Sequence, residues 1–253
     1  MTPTLHDKTR LNEDTMKLLE NNGFELINSS LSMQSGEAKI VGRMESYSCK
    51  MISTEKQFYK KFAADSGRTP QTLEALSPPT NGYGGYVFST SPFNRSLSRF
   101  SSGSEDESIL CDTIARKTLF HLISTLNAAF PDYSFSDTKA EEFTKEPSLQ
   151  FVCQNVDNLL SVAASSQYSK IHDKLWVTLN NEINLLDCDI YSYNPDLTSD
   201  PFGEDGSLWS FNYFFFNKKL KRIVLFTCRA LTPFSRSFYE EAQMEEYEME
   251  ETV

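Results

Sequence analysis

Six carboxylates crowd into residues 187–205, as Asp187, Asp189, Asp196, Asp200, Glu204 and Asp205. A cluster of this kind holds a hard cation, meets a basic partner, or solvates a loop. The calcium template is tested by spacing. With Asp196, Thr198 and Asp200 at loop positions 1, 3 and 5, Pro201 stands where the sharp turn needs glycine, and no glutamate occupies position 12. No metal is therefore expected. Two readings stay open: a solvated loop turning at Asn194-Pro195-Asp196 and Gly203, or a recognition surface for a basic partner.

Just downstream, Lys218, Lys219, Lys221 and Arg222 cluster between two apolar runs. Such a cluster solubilises a hairpin turn or serves as a nuclear-import patch, and the pattern does not choose. A third group is made of hydroxyls. Arg95 precedes Ser96 and stands three before Ser98; Arg99 stands two before Ser101 and three before Ser102, a spacing suited to basophilic kinases. Ser104 is followed by Glu105, Asp106 and Glu107, and Ser77 and Ser91 each precede proline. Clustered in an accessible segment, these serines predict phosphoregulation, each phosphate adding about −1.5 to −2 charges.

Catalytic groupings are missing from the sequence. It contains no GxSxG elbow, no GxxxxGK[ST] loop and no HExxH pair, and His6, His121 and His172 are scattered. His121 lies in an apolar helical pattern that favours a structural role. Gly82-Tyr83-Gly84-Gly85 has no strand before it and so makes a poor phosphate cradle. No catalytic residue, metal or cofactor is expected.

The elements that would carry these groups follow from periodicity. Asn22 and Glu25 have capping-box spacing ahead of a short helix at 23–31, and residues 38–51 read as a strand with a bulge at Gly42. A helix at 54–64 stacks Phe58 on Phe62. From 65 to 108, prolines, glycines and serines predict a flexible insert, since such a composition buries too little apolar area to offset ordering entropy. Helical spacing resumes over 109–130, then over a stretch opened by Pro147, then over 168–183.

In 208–216 the odd positions Trp209, Phe211, Tyr213 and Phe215 are all aromatic, and the even ones become apolar towards Phe216. That pattern predicts a strand covered on both faces at its end. Residues 221–230 form the return strand, with a tight turn at Asn217-Lys218 or Lys218-Lys219, so Trp209 meets Phe226 in one register and the alternative is left open. The expected fold is an α/β single-domain sandwich with a largely antiparallel central sheet flanked by helices on both faces. Residues 11–64 and 109–232 would share that domain, 65–108 would be the insert, and 233–253 an acidic disordered tail.

The formal net charge of −11 repels a phosphate backbone and makes direct nucleic-acid binding unexpected. Five widely spaced cysteines (Cys49, Cys111, Cys153, Cys188 and Cys228) without a CxxC pair suit a reducing compartment. With no apolar signal run at residues 1–10 and no 18-residue apolar stretch, neither secretion nor a membrane span is expected.

Longer strings carry a resemblance. CDIYSYNPD at 188–196, SDPFGEDGSLWSFNYFF at 199–215 and NKKLKRIV at 217–224 resemble the second and third sequence boxes of the Maf-type negative regulators of RNA polymerase III. MKLLEN at 16–21, INSSL at 27–31 and GRMESYSCKM at 42–51 match the first box, and LEALSPP at 73–79, RKTLF at 116–120 and EPSL at 146–149 match between boxes. Thr198 and Phe216 depart from the family's usual aspartate and tyrosine.

The resemblance implies a repressor that binds RNA polymerase III and blocks its engagement with promoter-bound initiation factor, lowering transfer RNA and 5S RNA synthesis. It further implies inactivation by kinases in the insert under growth signalling, activation by phosphatases, and shuttling between nucleus and cytoplasm. A monomer without membrane contact is expected. Two other classes fit the residue pattern: an acidic scaffold recruiting basic nuclear proteins, and a ligand-binding or enzymatic domain using the aromatic sheet as a pocket wall.

Overall fold

The computed structural model describes residues 16–64, 72–78, 112–195, 200–203 and 205–232. In chain order the elements are β1 (Lys17–Leu19), α1 (Asn22–Ser30), β2 (Ser32–Ser35), β3 (Ala38–Ser48), α2 (Ser53–Ala64), β4 (Leu73–Ala75), β5 (Thr113–Ala115), α3 (Arg116–Ala129), β6 (Phe143–Lys145), α4 (Leu149–Ile183), β7 (Asp189–Tyr193), β8 (Ser207–Asn217) and β9 (Arg222–Leu231). Single 3-10 turns stand at Ala140–Glu142 and Leu185–Asp187.

Seven strands make one antiparallel sheet in the order β1-β3-β9-β8-β7-β6, with β2 sharing the outer edge of β3 with β1. The sheet is central because its middle strands are apolar on both faces. Phe211, Tyr213 and Phe215 of β8 and Val224, Phe226 and Cys228 of β9 pack under α1 and α4. The alternate residues Phe214, Phe216, Ile223 and Leu225 pack under α3. Helices thus cover both faces, as the alternation predicted. Fully burying an aromatic such as Phe214 or Phe226 contributes about 1.5–3 kcal/mol before entropy is set against it.

Several local expectations are corrected. The helix cap is Asn21, not Asn22: its side chain accepts from the Phe24 amide at 3.1 Å. Gly42 lies in an unbroken register with β9, and the register shift occurs instead between Ser207 and Trp209 of β8. A Cβ at Gly42 would lie 3.2 Å from both Cys228 Sγ and Leu31 Cβ, so the glycine permits close packing rather than a bulge. The helix expected from 109 begins at Arg116, because Thr113–Ala115 are taken up by pairing with β4.

The two helices expected after Pro147 are one element broken at Ala164 (φ −149°, ψ 50°). Ser35 Oγ donates to the Ala163 carbonyl and Gln167 Nε2 to the Gln34 carbonyl at 3.2 Å, so the break also covers the edge of β2. The halves are fastened by Asp157. Its carboxylate takes the Tyr168 hydroxyl at 2.5 Å and Trp176 Nε1 at 3.1 Å, and lies 3.3 Å from His172 Nε2. Tyr168, His172 and Trp176 are four residues apart and line one face of the second half.

The β8–β9 connection is a four-residue turn at 218–221, so Trp209 faces Ala230 and Phe211 faces Cys228. Both expected two-residue loops are wrong for a local reason. Asn217 Oδ1 accepts from the amides of Lys219 and Leu220, each at 3.0 Å, and the positive φ falls on Lys221 (53°) rather than on Asn217.

Candidate functional site

The charged residues singled out in the sequence gather at the strand ends. Asn217 anchors the β8–β9 turn by donating Nδ2 to the Ile183 carbonyl at 2.9 Å, while the Lys221 carbonyl accepts from the Cys49 amide at 2.8 Å. This seats the basic turn directly against the turn Leu185–Asp187. Lys219 Nζ then lies 3.0 Å from Asp187 Oδ1, and Lys218 Nζ lies 2.6 Å from Asp189 Oδ2.

Asp187 and Asp189 therefore form one patch with Lys218 and Lys219, two groups that the sequence had presented separately. These pairs are solvated, with side-chain exposures of 77% and 37% for the first and 60% and 33% for the second. Exposed pairs of this kind contribute about 0–1 kcal/mol, so a competing charged partner displaces them at small cost.

Arg222 differs from the three lysines. Its Nη1 lies 2.8 Å from Glu182 Oε1 and donates to the Glu182 carbonyl at 2.9 Å. The same carboxylate accepts from Asn21 Nδ2 and Ser46 Oγ, both at 2.6 Å. Arg222 thus joins β9, β3, α1 and α4 and serves the core, whereas Lys218, Lys219 and Lys221 are exposed.

The other acidic residues are distributed differently. Asp200 is 6% exposed, and its Oδ1 accepts from the Phe202 amide at 2.9 Å. Phe202 inserts beside Phe130, with ring centroids 5.3 Å apart, and the Pro201 carbonyl accepts from Arg229 at 3.2 Å. Asp200 thus anchors an aromatic plug, while Asp205 is exposed. Asp196 and Glu204 lie outside the described residues.

The insert is rooted on the paired strands β4 and β5, with the Leu76 amide donating to the Asp112 carbonyl at 2.9 Å. Arg116 clamps the root. It sits 2.6 Å from Glu74 Oε1, donates to the Phe62 carbonyl, and places its guanidinium 4.5 Å from the Phe62 ring centroid. Ser77 belongs to this root: its hydroxyl donates to the Glu141 carbonyl and its amide to the Phe143 carbonyl at 2.9 Å. Ser91, Ser96, Ser98, Ser101, Ser102 and Ser104 lie outside the described residues.

A cleft of about 320 Å³ opens at the start of α4, lined by Lys145, Glu146, Ser148, Leu185, Cys188 and Asp189 among others. Burial raises the Glu146 carboxyl above its ordinary range, against a hydrogen bond from Ser192. Burial, with help from Asp187 and Asp189, pushes the Cys188 thiol up to about 12, so the sulfur is no thiolate nucleophile at neutral pH. Among the described residues no group of three or more His, Cys, Asp or Glu is placed to hold a metal ion.

The sequence missed Glu182 and Asp157 as organising carboxylates. Neither stands in a recognisable motif, and their partners lie as far as 161 residues away.

The fold is a two-face sandwich with charged turns at its strand ends. Comparison with known proteins makes the class specific. The family model described as Maf1 regulator matches residues 40–227, and the chain belongs to that family. It is 35% identical over 234 residues to the repressor of RNA polymerase III transcription of Dictyostelium discoideum, with 81% of each chain covered. The corresponding Schizosaccharomyces pombe repressor is 34% identical over 219 residues, covering 85% of this chain and 83% of that one. A crystal structure of citrus MAF1 superposes with a TM-score of 0.56 at 31% identity, covering 83% of this chain and 98% of that one. The resemblance read from the sequence boxes is thereby established as family membership.

Proposed function

We propose that this chain represses RNA polymerase III transcription by binding the polymerase and blocking its engagement with promoter-bound initiation factor. Synthesis of transfer RNA and 5S RNA falls as a result. The observation that carries this reading is the 35% identity, across 81% of both chains, to a protein named as a repressor of that transcription. The chain acts by occupancy rather than catalysis: an acidic protein covers basic polymerase elements that would otherwise meet DNA or the initiation factor.

Asp196, Glu204 and Asp205 form the centre of the contact in this proposal. Asp187 and Asp189 contribute once Lys219 and Lys218 release them, and Asp200 supports the loop from below. Phosphorylation of the insert serines weakens the complex. Nuclear entry uses Lys218, Lys219 and Lys221, with Arg222 bound to Glu182 and thus the poorest contributor, and the chain moves between nucleus and cytoplasm with its phosphorylation state.

Transcription of a transfer-RNA gene by purified polymerase III, with the dephosphorylated protein added, tests the reading. Transcript yield is expected to fall and a polymerase complex to appear on gel filtration. Undiminished transcription without a complex overturns it. Charge reversal at Asp196, Glu204 and Asp205 is expected to lower polymerase affinity at physiological salt, and unchanged affinity removes the acidic loop from the contact.

A further inference from the structure

One rim of this acidic protein is basic. The registers Lys17↔Ser48, Ser48↔Arg222 and Arg222↔Asn217 bring the ends of β1, β3, β9 and β8 together. That places Lys17, Lys50, Lys218, Lys219, Lys221 and Arg222 along one edge, against the carboxylates Glu182, Asp187 and Asp189. Among the described residues Lys17, Lys50 and Lys221 pair with no carboxylate. Exposed apolar side chains stand among them: Leu186 at 87%, Ile52 at 58% and Leu220 at 48%. A surplus of cations interleaved with bare apolar groups, in a chain of net charge −11, suits an acidic segment that also carries apolar side chains.

The chain contains such a segment. Residues 239–253 carry seven glutamates and neither lysine nor arginine, with Tyr239, Met244, Tyr247 and Met249 spaced between them. We propose that this carboxy-terminal segment docks on the lysine rim of its own molecule, Glu245 to Glu251 meeting the lysines and Met244, Tyr247 and Met249 meeting Leu220, Leu186 and Ile52.

The reach decides which glutamates serve. β9 carries the chain away from the rim, from Arg222 to Leu231, a path of roughly 30 Å at about 3.3 Å per residue. The return from Thr232 needs about nine extended residues. Glu240 and Glu241 fall short or barely arrive, whereas Glu245 onward have slack. Tethering gives the segment an effective concentration of order millimolar, which favours the intramolecular partner over a second copy at micromolar protein. The contact is electrostatic at an exposed surface, so a Debye length of about 3 Å at 1 M salt abolishes it. Docking would cover Lys218, Lys219 and Lys221 irrespective of what the rest of the chain binds.

Zero-length carbodiimide cross-linking of the full chain at micromolar concentration and low salt, read by mass spectrometry, tests this. Cross-links from Lys17, Lys50, Lys218, Lys219 or Lys221 to Glu245–Glu251 are expected in the monomeric species and should be lost at 1 M salt. A full-length variant with Glu245, Glu246, Glu248, Glu250 and Glu251 changed to Gln should leave the amides of 217–222 exchanging at least about threefold faster than in the parent. Cross-links confined to dimers would assign the rim to a second copy and overturn the proposal. Cross-links scattered over Lys60, Lys61, Lys170 and Lys174, or exchange unchanged by the five substitutions, would overturn it as well.

Discussion

Arg222 Nη1 lies 2.8 Å from Glu182 Oε1, with the two side chains only 33% and 13% exposed, and the same carboxylate holds Asn21 and Ser46. Four elements meet at one charge. Removing it leaves a guanidinium half-buried and two polar groups without their acceptor. Glu182→Ala is expected to lower the unfolding free energy by about 3 kcal/mol in urea titration, and Glu182→Gln by less, since the amide still accepts hydrogen bonds.

Asp157 plays the same part for the broken helix. Tyr168 is 2% exposed, and without Asp157 its hydroxyl has no acceptor for its 2.5 Å hydrogen bond. Asp157→Ala is expected to cost about 2–3 kcal/mol. Trp176 loses the same partner, so native-state tryptophan emission should shift as well. An unchanged midpoint would mean that the halves of α4 are held by their apolar contacts alone.

The two described histidines should titrate on opposite sides of 6.5. Burial, with Lys117 nearby, lowers His121 to about 4. The unfolded chain then binds more protons, and stability is lost as pH falls from 6.5 towards 4. His172 is raised, first by its 2.7 Å contact with Asp173 and then, against some desolvation, by Asp157. Its contribution is complete below 6.5 and fades as pH rises through its raised value. Proton NMR titration of the imidazoles checks both directions, and His172→Gln should reduce the melting temperature more at acid than at alkaline pH.

Gly42 tests the close approach of β3 to its neighbours. An added methyl meets Cys228 Sγ and Leu31 Cβ at 3.2 Å, and both neighbours are fully buried with little room to yield. Gly42→Ala is expected to destabilise by about 1–3 kcal/mol. Adding Cys228→Ala should restore part of the loss, a non-additivity measurable by a double-mutant cycle.

Ser77 joins the root of the insert to the rest of the fold through the Glu141 and Phe143 carbonyls. A negative group there faces an acceptor instead of donating to it. Ser77→Glu is expected to speed hydrogen exchange of the backbone amides at positions 76 and 77 by about tenfold, equivalent to about 1.4 kcal/mol, while leaving β8 and β9 unchanged.

Much of this protein was legible in the order of its residues. A period of two with aromatic residues on both faces allows few outcomes other than a strand covered twice, so β8, β9 and the helix-flanked antiparallel sheet could be read directly from 208–230. The same boxes of sequence carried the family. The short strands β4 and β5 were not legible, because three residues establish no period and their pairing spans the whole insert.

Charge was the larger surprise. Asp187 and Lys219 are 32 residues apart, Arg222 and Glu182 are 40 apart, and Asn21 and Glu182 are 161 apart. Whether such groups neutralise one another depends on separations of a few ångströms, set by the four-residue turn and by where α4 ends. Sequence alone determined which charges exist and which segments are core. Only the tertiary structure decided which charges are spent on each other and which remain for a partner, because Coulomb energy follows distance and solvation rather than position in the chain.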